Sequence, residues 1–416
     1  MTTNRPPHLT AKRFRGDIAL ILILGVAAAL STSHNAGRIS PLVFGTRYLD
    51  LWFDADTTDY VRMMISLQGP QSETKVHPLL SLMIYPPVKI FRMVFGLAQI
   101  QAIRLMLALV AAVWAGEMFV VLRLMGCRRP DAALFTLLGM ASAASVFWFT
   151  VPETGALGSL TILAALGVMA LSQYRKVSPI WYAATSALTL SATVTNWMAG
   201  IFLTIANFPW RRASQLTGIA FCMVLVLSCV QKAIFPSAHF FWENPQKGRF
   251  IFNQRAGGPQ KILPSFVFHT MVMPAIQNVP KEGSALRLRT QSSPPGSASM
   301  WGRVAVWLWA GLLGMGVGWT LSSGRRSRLI QFVWLTLLGQ LLVHLVFGIE
   351  TFLQSLHFLP LLIVIAAFGA LTRFRPLALI AASALAVCAF MNNQLVFEQA
   401  TAQIDRFEQE AHAILP

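Results

Sequence analysis

Long apolar runs separated by short polar segments dominate the chain. A helix that crosses a membrane needs about 20 mostly apolar residues, and eleven runs approach or exceed this length. They cover residues 17–33, 102–124, 131–150, 154–172, 178–196, 197–209, 213–236, 301–321, 329–348, 356–371 and 376–392. The fifth and sixth runs are interpreted as a hairpin broken at Thr195 and Asn196. The pattern predicts an all-α polytopic membrane protein with about 11 transmembrane helices.

Residues 78–98 are also apolar, but we expect a juxtamembrane helix, either interfacial or re-entrant, rather than a further span. Pro86 and Pro87 are predicted to break this helix at its centre, and Lys89 and Arg92 follow at once. If the run does not span, the basic clusters of the chain all fall on one side of the membrane. The positive-inside rule then predicts a cytoplasmic N-terminus and an extracytoplasmic C-terminus. The clusters comprise Arg5, Lys12, Arg13, Arg15, Arg123, Arg128, Arg129, Arg175, Lys176, Arg211, Arg212, Arg325, Arg326, Arg328, Arg373 and Arg375.

This topology divides the chain into four parts. Residues 1–236 form a transmembrane core that includes a long first outer loop, 34–101. Residues 237–300 form a second outer loop, 301–392 the C-terminal helices, and 393–416 an amphipathic extracytoplasmic tail. Because the inner loops are short turns and the outer loops are long, we expect the protein to work on its outer face.

Composition agrees with a membrane protein. Hydrophobic residues make up 55% of the 416 residues and charged residues 12%, whereas soluble domains carry about 25% charged residues. A disordered chain and a soluble nucleic-acid binder are therefore excluded, and no nucleic-acid partner is expected. The cysteines fall in or beside apolar runs, so no disulfide framework is implied. An excess of Arg over Lys favours a bacterial source, and hence an inner (plasma) membrane location.

The first outer loop contains a cluster of acidic residues. Asp54, Asp56 and Asp59 lie within six residues, and Tyr60 follows them. If 54–67 is helical, Asp56 and Asp59 share a face at spacing i, i+3. Clustered carboxylates raise one another's pKa, which suits a general base. The alternative is a solvated helix start, where acids are favoured in the first turn.

Further polar residues lie near the predicted outer surface. His77 precedes Pro78 at the foot of the juxtamembrane helix, and Glu153 lies between the third and fourth spans. Glu153 is either a boundary residue or the completion of a site opposite Asp56. Asn196 either caps the sixth span or contributes to the same site.

A polar stripe is predicted where the tenth span begins. Glu350, Gln354 and His357 recur at helical spacing along one face. Ionisable side chains at membrane depth are costly and are usually functional.

The outer loops also carry many basic residues. A phosphate-bearing substrate or an anionic lipid headgroup would account for them. The alternative is that long loops are translocated regardless of charge. They are Arg38, Arg47, Arg62, Lys75, Lys89 and Arg92 in the first loop, and Lys247, Arg249, Arg255, Lys261, Lys281, Arg287 and Arg289 in the second.

The order of these motifs resembles the GT-C superfamily of polytopic glycosyltransferases, especially the protein O-mannosyltransferases and the bacterial aminoarabinose transferases. The resemblance covers most of residues 1–210 and, more loosely, 345–372. Three positions depart from the family pattern: Thr57 replaces the second acid, Leu79 a proline and Asn196 a lysine. Because the acid after Asp56 is missing, the acidic pair is expected to be Asp54 with Asp56 instead. The matching positions are Asp56 with Tyr60, Gly69, His77-Pro78-Leu79, Phe95-Gly96, Arg104-Leu105, Arg128-Arg129, Pro152-Glu153, Thr195-Asn196 and His357 with Pro360.

The resemblance implies an enzyme of the GT-C fold that uses a polyprenyl-phosphate sugar as donor. The acceptor is a glycan, a lipid or a protein on the extracytoplasmic face. Asp56, or Asp54, would be the general base, and Glu153 would orient the acceptor or the base. The lipid phosphate would be held by side chains among His77, His357, Lys75 and Arg62.

Asp59, Tyr60, Asn196 and Glu350 complete the candidate substrate contacts. A divalent cation, Mg²⁺ or Mn²⁺, between Asp54 and Asp56 is compatible with the resemblance but not required by it. Two other classes stay open. One is a flippase or transporter of lipid-linked substrates, although no internal repeat favours it. The other is an enzyme like the O-antigen ligases and polymerases, with its key residues in 237–300.

Overall fold

The computed structural model describes residues 11–45, 50–243, 256–278, 286–322, 327–348 and 350–414, and these residues are almost entirely helical. The helices are α1 (Ala11–Gly37), α2 (Thr57–Ile65), α3 (Leu80–Phe95), α4 (Gln99–Leu124), α5 (Arg129–Ala141), α6 (Ala143–Trp148), α7 (Thr154–Ser172), α8 (Pro179–Ala192), α9 (Trp197–Asn207), α10 (Trp210–Ile234), α11 (Pro259–Pro264), α12 (Met300–Ser322), α13 (Arg328–Phe347), α14 (Ser355–Phe368) and α15 (Arg375–Ile414). Two short antiparallel strands, β1 (Gln277–Asn278) and β2 (Leu288–Arg289), pair in the second outer loop.

Eight helical segments of the described chain are long and apolar enough to cross a membrane. They are α1, α4, α7, α10, α12, α13, α14 with its flanking turns, and α15. The protein is thus an all-α membrane protein. The other three predicted spans, 131–150, 178–196 and 197–209, consist of shorter helices, so the count of eleven is not established. Each of α5, α6, α8 and α9 has 14 or fewer residues.

The third predicted span is broken at Ser142. This residue has extended backbone angles, and its hydroxyl accepts a hydrogen bond from the Ser145 backbone amide. The amides of Ala143 and Ala144 donate to carbonyls of the second outer loop, those of Met271 and Thr270. The break therefore leaves these backbone groups paired, and it ties the second outer loop to the helix bundle.

The fifth and sixth predicted spans meet at a second break. Thr193 is extended, a short 3₁₀ turn covers Val194–Asn196, and α9 follows. The amide of Val194 donates to the Val76 carbonyl, and the amide of Leu79 donates to the Ser191 carbonyl. The first outer loop is thereby hydrogen-bonded to the broken hairpin, which positions His77 against it.

The predicted break of the juxtamembrane helix is wrong. Helix α3 is continuous from Leu80 to Phe95, with Pro86 and Pro87 inside it. Proline has a φ close to the helical value, so the two residues remove hydrogen bonds without imposing a break. The buried face of α3, which includes Ile84 and Val88, packs on the protein and compensates for this loss. With 16 residues, α3 is not among the candidate spans.

The C-terminal tail predicted to begin at residue 393 continues the last predicted span as a single helix. Helix α15 continues through residue 393 and has 40 residues, which corresponds to about 60 Å. This exceeds the roughly 30 Å of a bilayer core. Past residue 392, the side chains of Val396, Phe397 and Ala400 are buried, so this half of α15 packs on the body.

Helix α14 lies at the centre of the bundle. Every one of its side chains is buried, and it contacts α5, α7, α12 and α13. Gly316 of α12 allows a close approach to α14, because a Cβ atom there would overlap the Ile365 carbonyl oxygen. His357 is carried by this central helix, so its position is fixed by packing on several sides.

Candidate functional site

Asp56 lies at the start of helix α2. Its carbonyl accepts the amides of Asp59 and Tyr60, while its carboxylate makes no capping hydrogen bond. The helix start is anchored by hydroxyls: Thr57 Oγ1 donates to the Val43 carbonyl at 2.5 Å, and Thr58 Oγ1 to the Gly45 carbonyl at 2.5 Å. The Asp56 carboxylate is therefore free for other chemistry and exposed to solvent.

Three carboxylates from three chain segments interact around this point. We call Asp56, Glu73 and Glu153 the acidic cluster. Although Asp56 is open to water on one side, surrounding protein desolvates it, and with repulsion from Glu73 this raises its pKa to about 7. The pKa of Glu73 is raised by burial and then by Asp59. Such a cluster retains protons at neutral pH.

Glu153 is buried immediately before α7. Its Oε1 accepts hydrogen bonds from the Thr154 amide at 3.0 Å and the Thr154 hydroxyl at 2.9 Å. Burial, followed by repulsion from Asp56, raises the Glu153 pKa to about 8. Glu153 and Asp56 thus interact electrostatically, and their shared role in one site stays a prediction. The alternative of a lipid-facing boundary residue disagrees with its burial.

Tyr60 and His77 form the inner wall of the acidic cluster. Their ring centroids are 6.4 Å apart. Burial, followed by the Glu153 carboxylate, raises the Tyr60 pKa well above its usual value, so the phenol stays neutral. His77 Nδ1 lies 2.8 Å from the Ala192 carbonyl oxygen, which assigns the proton to Nδ1. Burial lowers the His77 pKa to about 4, so the ring is neutral and presents a free lone pair on Nε2.

His357 belongs to a hydrogen-bonded network inside the bundle. Asn196 Nδ2 lies 2.9 Å from His357 Nδ1 and 3.0 Å from the Gly158 carbonyl oxygen. Gln340 Nε2 donates to Asn196 Oδ1 at 2.9 Å. These contacts assign the His357 proton to Nε2. The two candidates Asn196 and His357 are thus in direct contact.

Asp54 has a different environment from Asp56. Its carboxylate forms ion pairs with Arg287 and with Arg289, the latter at 3.3 Å. Asp54 also has a positive φ of 62°. The two guanidinium groups occupy both carboxylate oxygens, so Asp54 has no oxygen left for an acceptor hydroxyl. Its observed interactions join the first outer loop to β2, and Asp56 is the better candidate base.

Glu350 and His357 lie in different surroundings. The continuous polar stripe predicted from Glu350, Gln354 and His357 is therefore not observed. Glu350 Oε1 accepts a hydrogen bond from Thr290 Oγ1 at 2.6 Å. Burial raises the Glu350 pKa to about 7, and the charges that act on it are those of Asp54 and Arg289. Gln354 belongs to the 3₁₀ turn Thr351–Gln354, and α14 starts only at the next residue. The stripe is therefore divided between the Asp54 ion pairs and the Asn196 network.

The remaining candidates lie at the rim of the acidic cluster. Arg62 Nη1 is 3.4 Å from Asp59 Oδ1, and Ser72 Oγ is 3.3 Å from Asp59 Oδ2. Lys75 is electrostatically coupled to Glu73. Both cations are partly exposed, so they are available to an anion in solution. Arg47, Lys247, Arg249, Arg255 and Lys281 lie outside the described residues.

The donor atoms of Asp54 and Asp56 do not fit a divalent cation. Both Asp54 oxygens face guanidinium groups. Within the described ranges, no group of three or more His, Cys, Asp or Glu side chains is arranged to hold a metal ion. We therefore assign no step to Mg²⁺ or Mn²⁺.

Sequence reasoning missed several members of the site. Glu73 lies in a polar stretch without a recognisable motif. Its place in the acidic cluster depends on the 3₁₀ turn Ser72–Lys75, which the sequence pattern does not predict. Gln340 and Gly158 lie in apolar spans that carry no signal of their own. Their contacts to Asn196 depend on how α7, α9 and α13 pack together.

Replacing Asp54 by Asn should destabilise the protein by about 1–3 kcal/mol. Two largely buried arginines would lose their counter-ion, and removing one partner of a fully buried pair costs about 3–5 kcal/mol. Thermal unfolding in detergent measures the effect. Asp59→Asn is the matched control, since its exposed pair with Arg62 is worth at most about 1 kcal/mol. Equal destabilisation by both variants would contradict the assignment.

Comparison with known proteins adds no family to this description. No protein-family model matches the chain, and no curated protein matches it at a significant level. The class is defined by fold and site alone: an all-α membrane protein with an acidic cluster at one end of its helices.

Proposed function

We propose that the protein is a membrane glycosyltransferase that moves a sugar from a polyprenyl-phosphate donor to an acceptor hydroxyl. The observation that carries this proposal is Asp56, a solvent-accessible carboxylate whose pKa is raised to about 7 by desolvation and by Glu73. A general base is most effective when its pKa lies near the working pH. The resemblance of the motif order to the GT-C superfamily supplies the substrate class.

In the proposed reaction, the Asp56 carboxylate removes the proton from the acceptor hydroxyl. The acceptor oxygen forms a bond to the anomeric carbon of the sugar, and the bond from that carbon to the phosphate oxygen breaks. Polyprenyl phosphate leaves with the bonding electrons. The acceptor is a glycan, a lipid or a protein. Glu153, held by hydrogen bonds from Thr154, would orient the acceptor or Asp56.

The leaving phosphate is best matched by the rim cations Arg62 and Lys75. Both side chains are partly exposed beside the acidic cluster, and a cation stabilises the charge that develops as the phosphate leaves. His77 is a weaker candidate than the sequence suggests, because its only N–H is donated to Ala192. We therefore assign His77 to positioning Tyr60 and the first outer loop.

Helix α3 supports the use of a lipid donor. One of its faces packs on the protein, and the other exposes Ile90, Met93, Val94 and Phe95. The sixteen residues are too few to span a bilayer, so an apolar exposed face fits an interfacial location. A prenyl chain entering from the membrane would pass along such a helix to bring its phosphate to the acidic cluster.

The charges support an orientation for the protein. Basic residues of the described chain, such as Arg128, Arg175 and Arg375, lie at the ends of the spans opposite the acidic cluster, and the positive-inside rule favours the cytoplasm for such residues. We therefore propose that Asp56 faces the extracytoplasmic side of a bacterial inner membrane. A sugar donor on a lipid carrier suits that side, because it requires no soluble nucleotide sugar.

The rate should rise with pH and reach a plateau above about pH 7. Asp56 must be ionised to accept a proton, and its pKa is raised to about 7. Its ionised fraction is therefore small at pH 5 and nearly complete at pH 9. Because Asp56, Glu73 and Glu153 interact, the titration belongs to the acidic cluster as a whole. Initial rates from pH 5 to pH 9 test this. A rate that falls as pH rises from 5 to 7 would exclude a carboxylate base.

The proposal is tested by presenting the purified protein in detergent with a panel of radiolabelled polyprenyl-phosphate sugars. Release of free polyprenyl phosphate is followed with time, and heat-inactivated protein is the control. Release from one donor that is saturable and requires native protein would support the proposal. Tight lipid binding without release from any donor would favour a flippase or transporter instead.

A further inference from the structure

A second polar site lies at the opposite end of the helices from the acidic cluster. Helix α7 starts beside Glu153 and ends at Ser172 after 19 residues, or about 28 Å. Around Ser172, a pocket of about 470 Å³ lies between the α7–α8 turn, the α9–α10 turn and the start of α13. None of the residues of the acidic cluster lines it, so it is a separate site.

Four cations line this pocket, and no acidic side chain does. They are Arg175, Lys176, Arg212 and Arg328. None of the four forms an ion pair within the described ranges. Four like charges around one cavity repel one another, and an anion within the cavity would relieve this repulsion. The charge pattern thus favours an anionic ligand.

The aromatic wall of the pocket orients one of these cations. Phe208 packs edge-on against Tyr182 with ring centroids 4.8 Å apart. The Arg212 guanidinium lies 5.3 Å from the centroid of Phe208. A guanidinium held against a ring has less freedom to lose when it binds, and its planar fork matches phosphate oxygens.

Backbone groups add to the positive potential. Helices α8, α10 and α13 all begin at this pocket, with Ser178, Pro209 and Ser327 as their N-caps. None of these three caps makes a side-chain capping hydrogen bond. Amide N–H groups of the first turns therefore stay available, and helix N-termini favour negative charge.

Two exposed tryptophans indicate at which level of the membrane the pocket lies. Trp181 precedes Tyr182 and is 61% exposed, and Trp210 precedes Arg211 and is 73% exposed. Exposed tryptophans of membrane proteins concentrate at the level of the lipid headgroups. The pocket therefore lies where a phospholipid phosphate would be, rather than deep in a water-filled domain.

We propose that this pocket binds the phosphate of an anionic phospholipid headgroup. The phosphate lies among the side chains of Arg175, Lys176, Arg212 and Arg328, and the acyl chains lie in the bilayer beside Trp181. Basic pockets between helices at this depth are suited to anionic headgroups. The site is independent of the reaction proposed at Asp56.

The proposal is tested with the full-length protein in nanodiscs that contain phosphatidylglycerol and phosphatidylcholine. Native mass spectrometry measures how much phosphatidylglycerol each variant retains. The test variant is Arg212→Gln with Arg328→Gln, and the charge-matched control is Arg128→Gln with Arg211→Gln. Both control residues are exposed and basic, lie at the same end of the helices and do not line the pocket.

We expect the pocket variant to bind phosphatidylglycerol about tenfold or more weakly than wild type, and the control variant within about threefold. Equal losses in both variants, or no loss in either, would overturn the proposal, since only general surface charge would then be involved. Soluble glycerol phosphate is added as a competitor. Displacement of the lipid at equal concentration would overturn the lipid assignment and indicate a free phosphate ester as the ligand.

Discussion

Replacing Asp56 by Asn should lower the rate of polyprenyl phosphate release by about 10²–10⁴-fold, the usual contribution of a positioned general base. The amide has the size of the carboxylate but cannot accept the acceptor's proton. Asp56 makes no side-chain capping hydrogen bond to α2, so its replacement removes no observed structural contact. Loss of the Asp56 charge also removes its electrostatic repulsion with Glu73 and Glu153. The variant should therefore fold at least as stably as wild type.

Asp59→Asn is the matched control for this experiment. Asp59 lies one helical turn away in the same loop, but it pairs with Arg62 and accepts a hydrogen bond from Ser72. Its replacement should lower the rate far less than Asp56→Asn does, because Asp59 accepts no proton in the proposed reaction and its ion pair with Arg62 is partly exposed. If Asp56→Asn retains the full rate, the base lies elsewhere in the acidic cluster. Glu153→Gln would then be the next variant to assay.

The choice between Asp54 and Asp56 illustrates what the sequence could and could not predict. Both acids occur in the same short stretch, and the family pattern allowed either. The distinction arises from two arginines more than 230 residues away in the second outer loop, which pair with Asp54. No local sequence pattern predicts such a long-range contact. The role of Glu73 could not be predicted for the same reason, because its neighbours in space, Asp56 and Glu153, belong to other segments of the chain.

The prediction of helix boundaries was limited in the same way, because these boundaries also depend on long-range contacts. Hydropathy predicts the location of the apolar runs well, because membrane helices must satisfy their backbone groups internally. It predicted neither the break at Ser142 nor the continuity of α3 through Pro86 and Pro87. At Ser142, carbonyls of the distant residues Thr270 and Met271 accept the freed amides. In α3, packing of the buried face outweighs the proline penalty. Both outcomes are decided by tertiary contacts.

Gly158→Ala should destabilise the protein by crowding His357. A Cβ atom at this position of α7 would overlap the imidazole of His357, and it would lie 3.0 Å from Asn196 Nδ2. His357 is fixed on the central helix α14, so it cannot move aside without disturbing buried neighbours. Overpacking of a core costs about 1–3 kcal/mol. We expect a lower melting temperature in detergent and loss of the Asn196–His357 hydrogen bond.

Gly155→Ala provides the control one turn earlier in the same helix. A Cβ atom there would be 3.5 Å from the Leu356 Cβ, an ordinary contact. Since alanine favours helix by up to about 1 kcal/mol over glycine, this variant should be as stable as wild type or more so.

A double-mutant cycle identifies the partner of the added methyl group. His357→Ala removes the imidazole that the Gly158→Ala methyl would overlap. In the His357→Ala background, Gly158→Ala should therefore cost less than about 0.5 kcal/mol, giving a coupling free energy of about 1 kcal/mol or more. An unchanged cost in that background would assign the overlap to another neighbour. It would also contradict the idea that the missing side chain of Gly158 leaves the space in which His357 contacts Asn196. Because the added methyl group lies inside the bundle, away from Asp56, a coupled loss of release activity would show that catalysis depends on this network.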